Sequence, residues 1–293
     1  ASFVVMCIAS ENERMRKGGR ALNEFYLGDA RQGLQRLAEQ GRRVQLCYLD
    51  PPYLTGRDFG AYCDRFPSDE DYYAMMRAVL QGVYEVLDAR GSLFLHIDWR
   101  THARLRLLLE EIFGAEGFRN EIVWCYRSGG RAQTHFSRKH DTLLFFAKSR
   151  DAYFDAMQDP LPRAEVRSNH MKRGVDEDGR AYRAIRSGGR LYRYFDDEGV
   201  PASDVWTDIP HLHQRDPERT GYPTQKPLRL LERIVRCASR EGDVVLDAFA
   251  GSGTALEAAF RLGRTFIGMD CAPESLATVQ RRLPDAPLRV IRL

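Results

Sequence analysis

Two short clusters in this sequence combine residue types that could do chemistry. The first is Asp50-Pro51-Pro52-Tyr53. Consecutive prolines fix the backbone and remove two N–H donors, so this turn offers carbonyl oxygens beside a carboxylate, with a tyrosine ring alongside. An acceptor-only pocket with an aromatic wall suits a planar ring that carries an amino group. The second cluster is Asp247-Ala-Phe249-Ala-Gly251-Ser-Gly253-Thr254, with Asp270 following 23 residues after Asp247. Glycines let a turn approach a ligand closely, and a helix starting there offers free N–H groups. An acid at the end of the next strand accepts hydrogen bonds from ribose hydroxyls in nucleotide-binding α/β folds. The expected ligand is therefore a nucleoside. A dinucleotide fits less well, because Leu256 stands where a GxGxxG turn needs its third glycine, and no GxxxxGK[ST] loop occurs. Asp247 at the turn disfavours pyrophosphate and suits a cation. S-adenosyl-L-methionine, with its sulfonium and ammonium, fits best.

These clusters need rigid elements beneath them. Residues 44–50 read as a buried strand ending at the prolines, and 243–249 as another running into the glycine turn. Helical apolar spacing over 69–87, 100–113, 227–236, 252–262 and 273–283 alternates with apolar strands at 92–97, 121–126, 142–147 and 264–270. The alternation predicts an α/β fold with a doubly wound, mostly parallel sheet. Between 149 and 220 it breaks down into Arg, Gly, Asp and Pro with short aromatic strips. The division expected is a catalytic-motif half (1–126), an irregular basic insert (127–222, including a core strand near 141–148), and a cofactor half (223–293) of one domain.

Composition bounds the class. The 293 residues are 43% hydrophobic and 29% charged, enough to bury a full core and too apolar for a wholly disordered chain. No stretch approaches the length of a membrane helix, so no membrane partner is expected. The apolar run at 3–9 lacks a preceding basic segment and makes a poor signal peptide. The six cysteines form no CxxC pair, and His211 and His213 lack completing ligands. No metal site or disulfide framework is expected, and a cytoplasmic, nucleoid-associated location is. Net charge is only +3, yet residues 127–193 hold 15 Lys/Arg against 8 Asp/Glu, while the remainder holds 29 against 33. That basic segment is a footprint for a polyanion.

The order Asp50-Pro-Pro-Tyr53, then Thr224-Gln-Lys226-Pro227, then Asp247-Ala-Phe-Ala-Gly-Ser-Gly-Thr254 resembles the β-group amino-methyltransferases of DNA. Flanking segments at 110–114, 120–124, 137–141 and 204–210 agree, so the similarity runs from about residue 22 onward. Ala248 and Ala250 depart from the family's commoner Pro and Cys. Methyltransferases of ribosomal RNA and of protein glutamine carry a related proline-tyrosine motif but place the glycine motif first, so DNA is favoured.

The resemblance implies an S-adenosylmethionine-dependent methyltransferase fold, with double-stranded DNA as substrate and the target base flipped out of the helix. The Asp50 side chain and the Pro51 carbonyl would accept the two N–H bonds of an exocyclic amine, with Pro52 completing the motif and Tyr53 stacking on the base. Lys226 and Pro227 would border the methionyl end of the cofactor, and Phe249 its adenosine. Asp50, Asp247, Gly251, Gly253, Thr254 and Asp270 would complete the cofactor site. Asp29 would contact the adenine amino group, although a Gly-Asp turn is equally a helix cap. Arg127, Arg131, Arg138 and Lys139 would contact phosphate. Asp at position 50 favours adenine N6 over cytosine N4, the alternative within the class. More remote readings are a non-catalytic DNA-binding protein and a nicotinamide-dependent oxidoreductase. The resemblance alone raises a homodimer and a partner restriction endonuclease.

Overall fold

The computed structural model describes residues 22–58, 64–126, 132–163 and 170–293. Nine strands form one sheet: β1 (Asn23–Leu27), β2 (Val44–Leu49), β3 (Leu87–Ile97), β4 (Phe118–Cys125), β5 (His140–Ala147), β11 (Val205–Trp206), β12 (Val244–Asp247), β13 (Thr265–Asp270) and β14 (Leu288–Arg292). Their order across the sheet is β11-β4-β5-β3-β2-β12-β13-β1-β14. Every pairing is parallel except those of β5, which runs antiparallel to both β3 and β4. The mostly parallel sheet expected from the alternation is what forms.

Helices cover both faces, because each strand buries apolar side chains to either side. Helices α1 (Ala30–Glu39), α2 (Asp69–Val86) and α3 (His102–Phe113) pack on one face, through Leu34, Leu37, Met76, Val83, Leu105 and Leu109. Helices α4 (Leu228–Ala238), α5 (Thr254–Arg261) and α6 (Pro273–Arg282) pack on the other, through Leu230, Ile234, Leu256 and Val279. The Ser68 side chain caps α2 by accepting from the Asp71 N–H at 3.1 Å.

The chain leaves β2 towards β3 and leaves β12 towards β13, in opposite directions from the middle of the sheet. A crevice opens at such a reversal, at the carboxyl ends of the strands. Both motifs end there: Asp50 follows β2, and Asp247 and Asp270 are the last residues of β12 and β13.

The segment 149–220 holds more order than its sequence suggests. A separate antiparallel sheet forms from β7 (Lys172–Val175), β8 (Ala181–Ser187) and β9 (Arg190–Phe195). A short pair joins β6 (Leu161–Pro162) and β10 (Gly199–Val200), and β11 returns to the main sheet beside β4. Strand β3 also starts five residues earlier than the apolar run, at Leu87, with an irregularity in its pairing to β2.

Candidate active site

A cavity of about 340 Å³ occupies the crevice, within the size range of small-molecule sites. Its walls include Asp29, Asp50, Pro51, Pro52, Tyr53, Lys226, Asp247, Phe249, Gly251, Thr254 and Asp270. Residues separated by more than 200 positions thus share one cavity, because β2 and β12 are neighbours.

The Asp50 carboxylate is held from two sides. Tyr53 donates its hydroxyl to Oδ1 at 2.7 Å, and Lys226 Nζ donates to Oδ2 at 2.6 Å. The Lys226 ammonium also lies 5.1 Å from the Tyr53 ring centroid. Burial, then the Asp50 and Asp141 carboxylates, push the Tyr53 phenol well above its usual range, so it remains a neutral donor. Tyr72 of α2 donates to the Pro52 carbonyl at 2.8 Å, which makes Pro52 part of the scaffold. Beyond it Leu54 takes a positive φ of 57°, strained for a residue with a branched side chain. Buried Asp64 holds that turn by accepting from the N–H groups of Leu54 and Thr55, each at 2.9 Å.

On the opposite wall the glycine turn is tied to Asp270. Gly251 N–H donates to Asp270 Oδ2 at 2.8 Å and Ala272 N–H to Oδ1 at 2.9 Å. Burial raises the Asp270 carboxyl, and those N–H groups offset it only in part. Asp247 is 2% exposed. Burial drives its carboxyl well up despite a hydrogen bond from the Phe249 N–H, and the Asp50 and Asp270 carboxylates add to the rise. Three carboxylates around one cavity, with Lys226 among them, favour a ligand that brings positive charge.

Three expected cofactor residues have evident structural roles, and one of them still borders the cavity. Gly253 does not line the cavity; its φ is +75°, and a Cβ there would lie 2.6 Å from Val279 Cγ2. It is glycine because the turn into α5 packs against α6. Pro227 also lies off the cavity, as the residue that caps α4. Asp29 does border the cavity, but it caps α1, accepting from the Arg31 N–H at 2.8 Å and pairing with the Arg31 guanidinium at 2.5 Å. Those Arg31 hydrogen bonds, against partial burial, hold its carboxyl below the usual range.

Of the residues expected to meet phosphate, Arg127 and Arg131 lie outside the described residues. Arg138 stacks over the Trp99 ring at 3.9 Å, and the Lys139 carbonyl accepts from the Tyr126 N–H at 2.9 Å.

Sequence reasoning missed a buried polar network behind Tyr53. Tyr48 Oη meets His96 Nδ1 at 2.8 Å, His96 Nε2 meets Asp141 Oδ2 at 3.3 Å, and Tyr126 donates to Asp141 Oδ1 at 2.9 Å. Burial raises the Asp141 carboxyl, but the His96 bond, the charges of His96 and Lys226 and the Tyr126 bond outweigh it and leave it low. The His96 ring is 6.4 Å from that of Tyr53. Fully satisfied buried networks rigidify what they touch, and this one backs the wall of the cavity. Its only sequence signal was a histidine inside an apolar strand, whose partner arrives 45 residues later.

A strand-end crevice with this acid-proline-tyrosine wall lies on the fold of S-adenosylmethionine-dependent methyltransferases. Among solved structures, TTHA0409 of Thermus thermophilus, complexed with S-adenosyl-L-methionine, matches with a TM-score of 0.60 at 22% identity, over 92% of this chain and 98% of that one. The DNA methylase family model for N6 and N4 methyltransferases matches residues 44–281, and the chain belongs to that family. The type II methyltransferase M2.DpnII of Streptococcus pneumoniae is 46% identical over 258 residues, 82% of each chain. The DNA adenine methyltransferase YhdJ of Escherichia coli (strain K12) is 28% identical over 257 residues, 87% of this chain and 81% of its own.

Proposed function

We propose that this chain transfers a methyl group from S-adenosyl-L-methionine to the exocyclic N6 of adenine in duplex DNA, acting on a base extruded from the helix. The observation that carries the reading is the Asp50 carboxylate, fixed by Tyr53 and Lys226 at one end of the cavity that reaches Asp270. The cofactor fits the donor set. Asp270 suits ribose hydroxyls, Phe249 an adenine face, and the Asp50, Asp247 and Asp270 carboxylates a sulfonium and an ammonium.

When bound, S-adenosylmethionine supplies a methyl carbon on a cationic sulfur that leaves as a neutral thioether. An exocyclic amine is a poor nucleophile because its lone pair is delocalised into the ring. Asp50 and the Pro51 carbonyl accept its two N–H bonds and draw the nitrogen towards tetrahedral geometry. A carboxylate has about four acceptor positions, so Asp50 serves the amine while still holding Tyr53 and Lys226. Tyr53 stacks on the base and fixes its plane. Positioning and electrostatics do the rest.

Adenine is preferred because Asp stands at position 50, and the adenine specificity in the name of YhdJ agrees. The residues 127–222 are proposed as the part that reads the sequence, with Arg138 and Lys139 near phosphate. Similarity to type II methyltransferases supports a role beside a restriction endonuclease.

Incubation with labelled S-adenosylmethionine and unmethylated bacterial DNA, followed by nucleoside analysis, tests this. Label in N6-methyladenine is the expected outcome, label in N4-methylcytosine would correct the base, and no label would overturn the reading. Asp50→Asn should cut turnover at least about a hundredfold while cofactor binding stays measurable. Full activity in that variant would sink the role of Asp50.

A further inference from the structure

The connection between β4 and β5 carries a turn, described from residue 132 onward, whose parts brace one another. Cys125 pairs with His140 at its base, and Tyr126 N–H donates to the Lys139 carbonyl at 2.9 Å. Ala132 N–H donates to Ser137 Oγ at 3.0 Å. The Arg138 guanidinium lies 3.9 Å over the Trp99 ring, while its Nη1 meets His135 Nε2 at 3.2 Å. Arg100 approaches the same ring at 4.9 Å. Trp99 follows β3, the neighbour of β2, so the turn and Asp50 share one edge of the sheet.

From this pedestal Phe136 projects with 98% of its surface exposed. A single exposed apolar side chain is ordinary on a protein surface. This one stands on a turn braced by Ser137, His135, Arg138 and Trp99, at the end of the sheet where Asp50 lies. A benzyl group kept in water there adds nothing to the core.

We propose that Phe136 is the wedge that enters the base stack and fills the gap left by the extruded target. The proposal rests on the reading that this chain methylates a flipped base. Extrusion breaks stacking on both sides of the target, and an apolar ring inserted between the neighbouring bases restores part of it. Arg138, stacked on Trp99, places positive charge on the same turn as the wedge, where a flanking phosphate would lie, whereas Arg100 is already paired with Asp98. Stacking on Trp99 pre-orders the Arg138 guanidinium, so less freedom is lost when DNA arrives.

Once sequencing of methylated DNA has located the recognition site, two synthetic duplexes separate the roles of Phe136. In one the target base is normally paired; in the other it faces an abasic position and needs no unpairing. Phe136→Ala should lose about ten- to a hundredfold in kcat/KM on the paired duplex, yet come within about threefold of the unaltered chain on the abasic one. Phe136→Leu, still apolar, should keep most activity on both. A fluorescent base analogue at the target should brighten less with Phe136→Ala on the paired duplex alone. Equal losses on both duplexes would make Phe136 a wall of the base pocket and overturn the wedge; an undiminished rate on the paired duplex would overturn it as well. If the unaltered chain labels no DNA, the methyltransferase reading falls and takes the wedge with it. If it does label DNA, these comparisons put only the wedge at stake.

Discussion

Asp247 shows how a carboxyl in the cavity wall can weaken the fold that carries it. Its carboxyl is raised by burial and by the nearby Asp50 and Asp270 carboxylates. The folded state therefore holds that proton to higher pH than the unfolded chain does. Above the ordinary value of 3.8, stability falls as pH rises through the folded value. Asp247→Asn keeps an acceptor for the Phe249 N–H and removes the penalty. It should raise Tm at pH 7.5, by roughly 2–4 °C for each kcal/mol relieved, and do little near pH 4. The same variant should bind S-adenosylmethionine more weakly, as titration calorimetry would show. An unchanged Tm at both pH values would mean that the carboxylate is already compensated.

At the level of single elements, Gly253 joins α5 to the glycine turn with a positive φ of 75°, and a Cβ added there would meet Val279. Gly253→Ala should cost about 1–3 kcal/mol through strain and overpacking, visible as a lower denaturant midpoint. A loss of cofactor affinity with unchanged stability would contradict the packing role. The sequence pattern placed this glycine in the binding turn and could not tell lining from packing, since both require a missing Cβ. The strand-end residues Asp50, Tyr53, Phe249, Gly251 and Asp270 were legible because apolar strands announce where they stop. Strands β7 to β9 were not, because their side chains are largely exposed and arginine-rich, leaving no apolar alternation to read. A weaker signal was there. Gly188 and Gly189, at φ 54° and 77°, form the two-residue turn that favours hairpins. His96 and Asp141 were hidden for another reason: their pairing needs the antiparallel register of β3 and β5, which apolar patterning does not specify.

Across the whole molecule, the segment between β5 and α4 is tied to α4 chiefly through Arg233, with Arg229 sharing its Asp159 partner. Arg233 on α4 is 2% exposed and binds Asp159 at 2.7 Å and Asp208 at 2.5 Å, with its guanidinium 5.0 Å from the Trp206 ring. Trp124 adds a hydrogen bond to the Ile209 carbonyl at 2.8 Å. Removing Arg233 takes this partner from Asp208 and leaves Asp159 with Arg229 alone. Arg233→Ala should cost about 3–5 kcal/mol, measured by urea unfolding, and protease sensitivity should rise around residues 159 and 208. A cost under about 1 kcal/mol would place the pair among ordinary surface bridges.

Strand β1 sits between β13 and β14, so the first strand of the sheet is gripped by the last two. The Phe266 N–H bonds to the Asn23 side chain across 243 residues. At about 5–20 residues per second of synthesis, β1 waits roughly 12–50 s on the ribosome before its neighbours exist. Through that interval Phe25, Tyr26 and Leu27 form an unclaimed sticky segment, and the Asp50 wall faces no cofactor wall. The cavity of the nascent chain therefore stays unassembled until β12 and β13 emerge, and a messenger cut short before β13 yields a product that holdase chaperones and proteases would meet first.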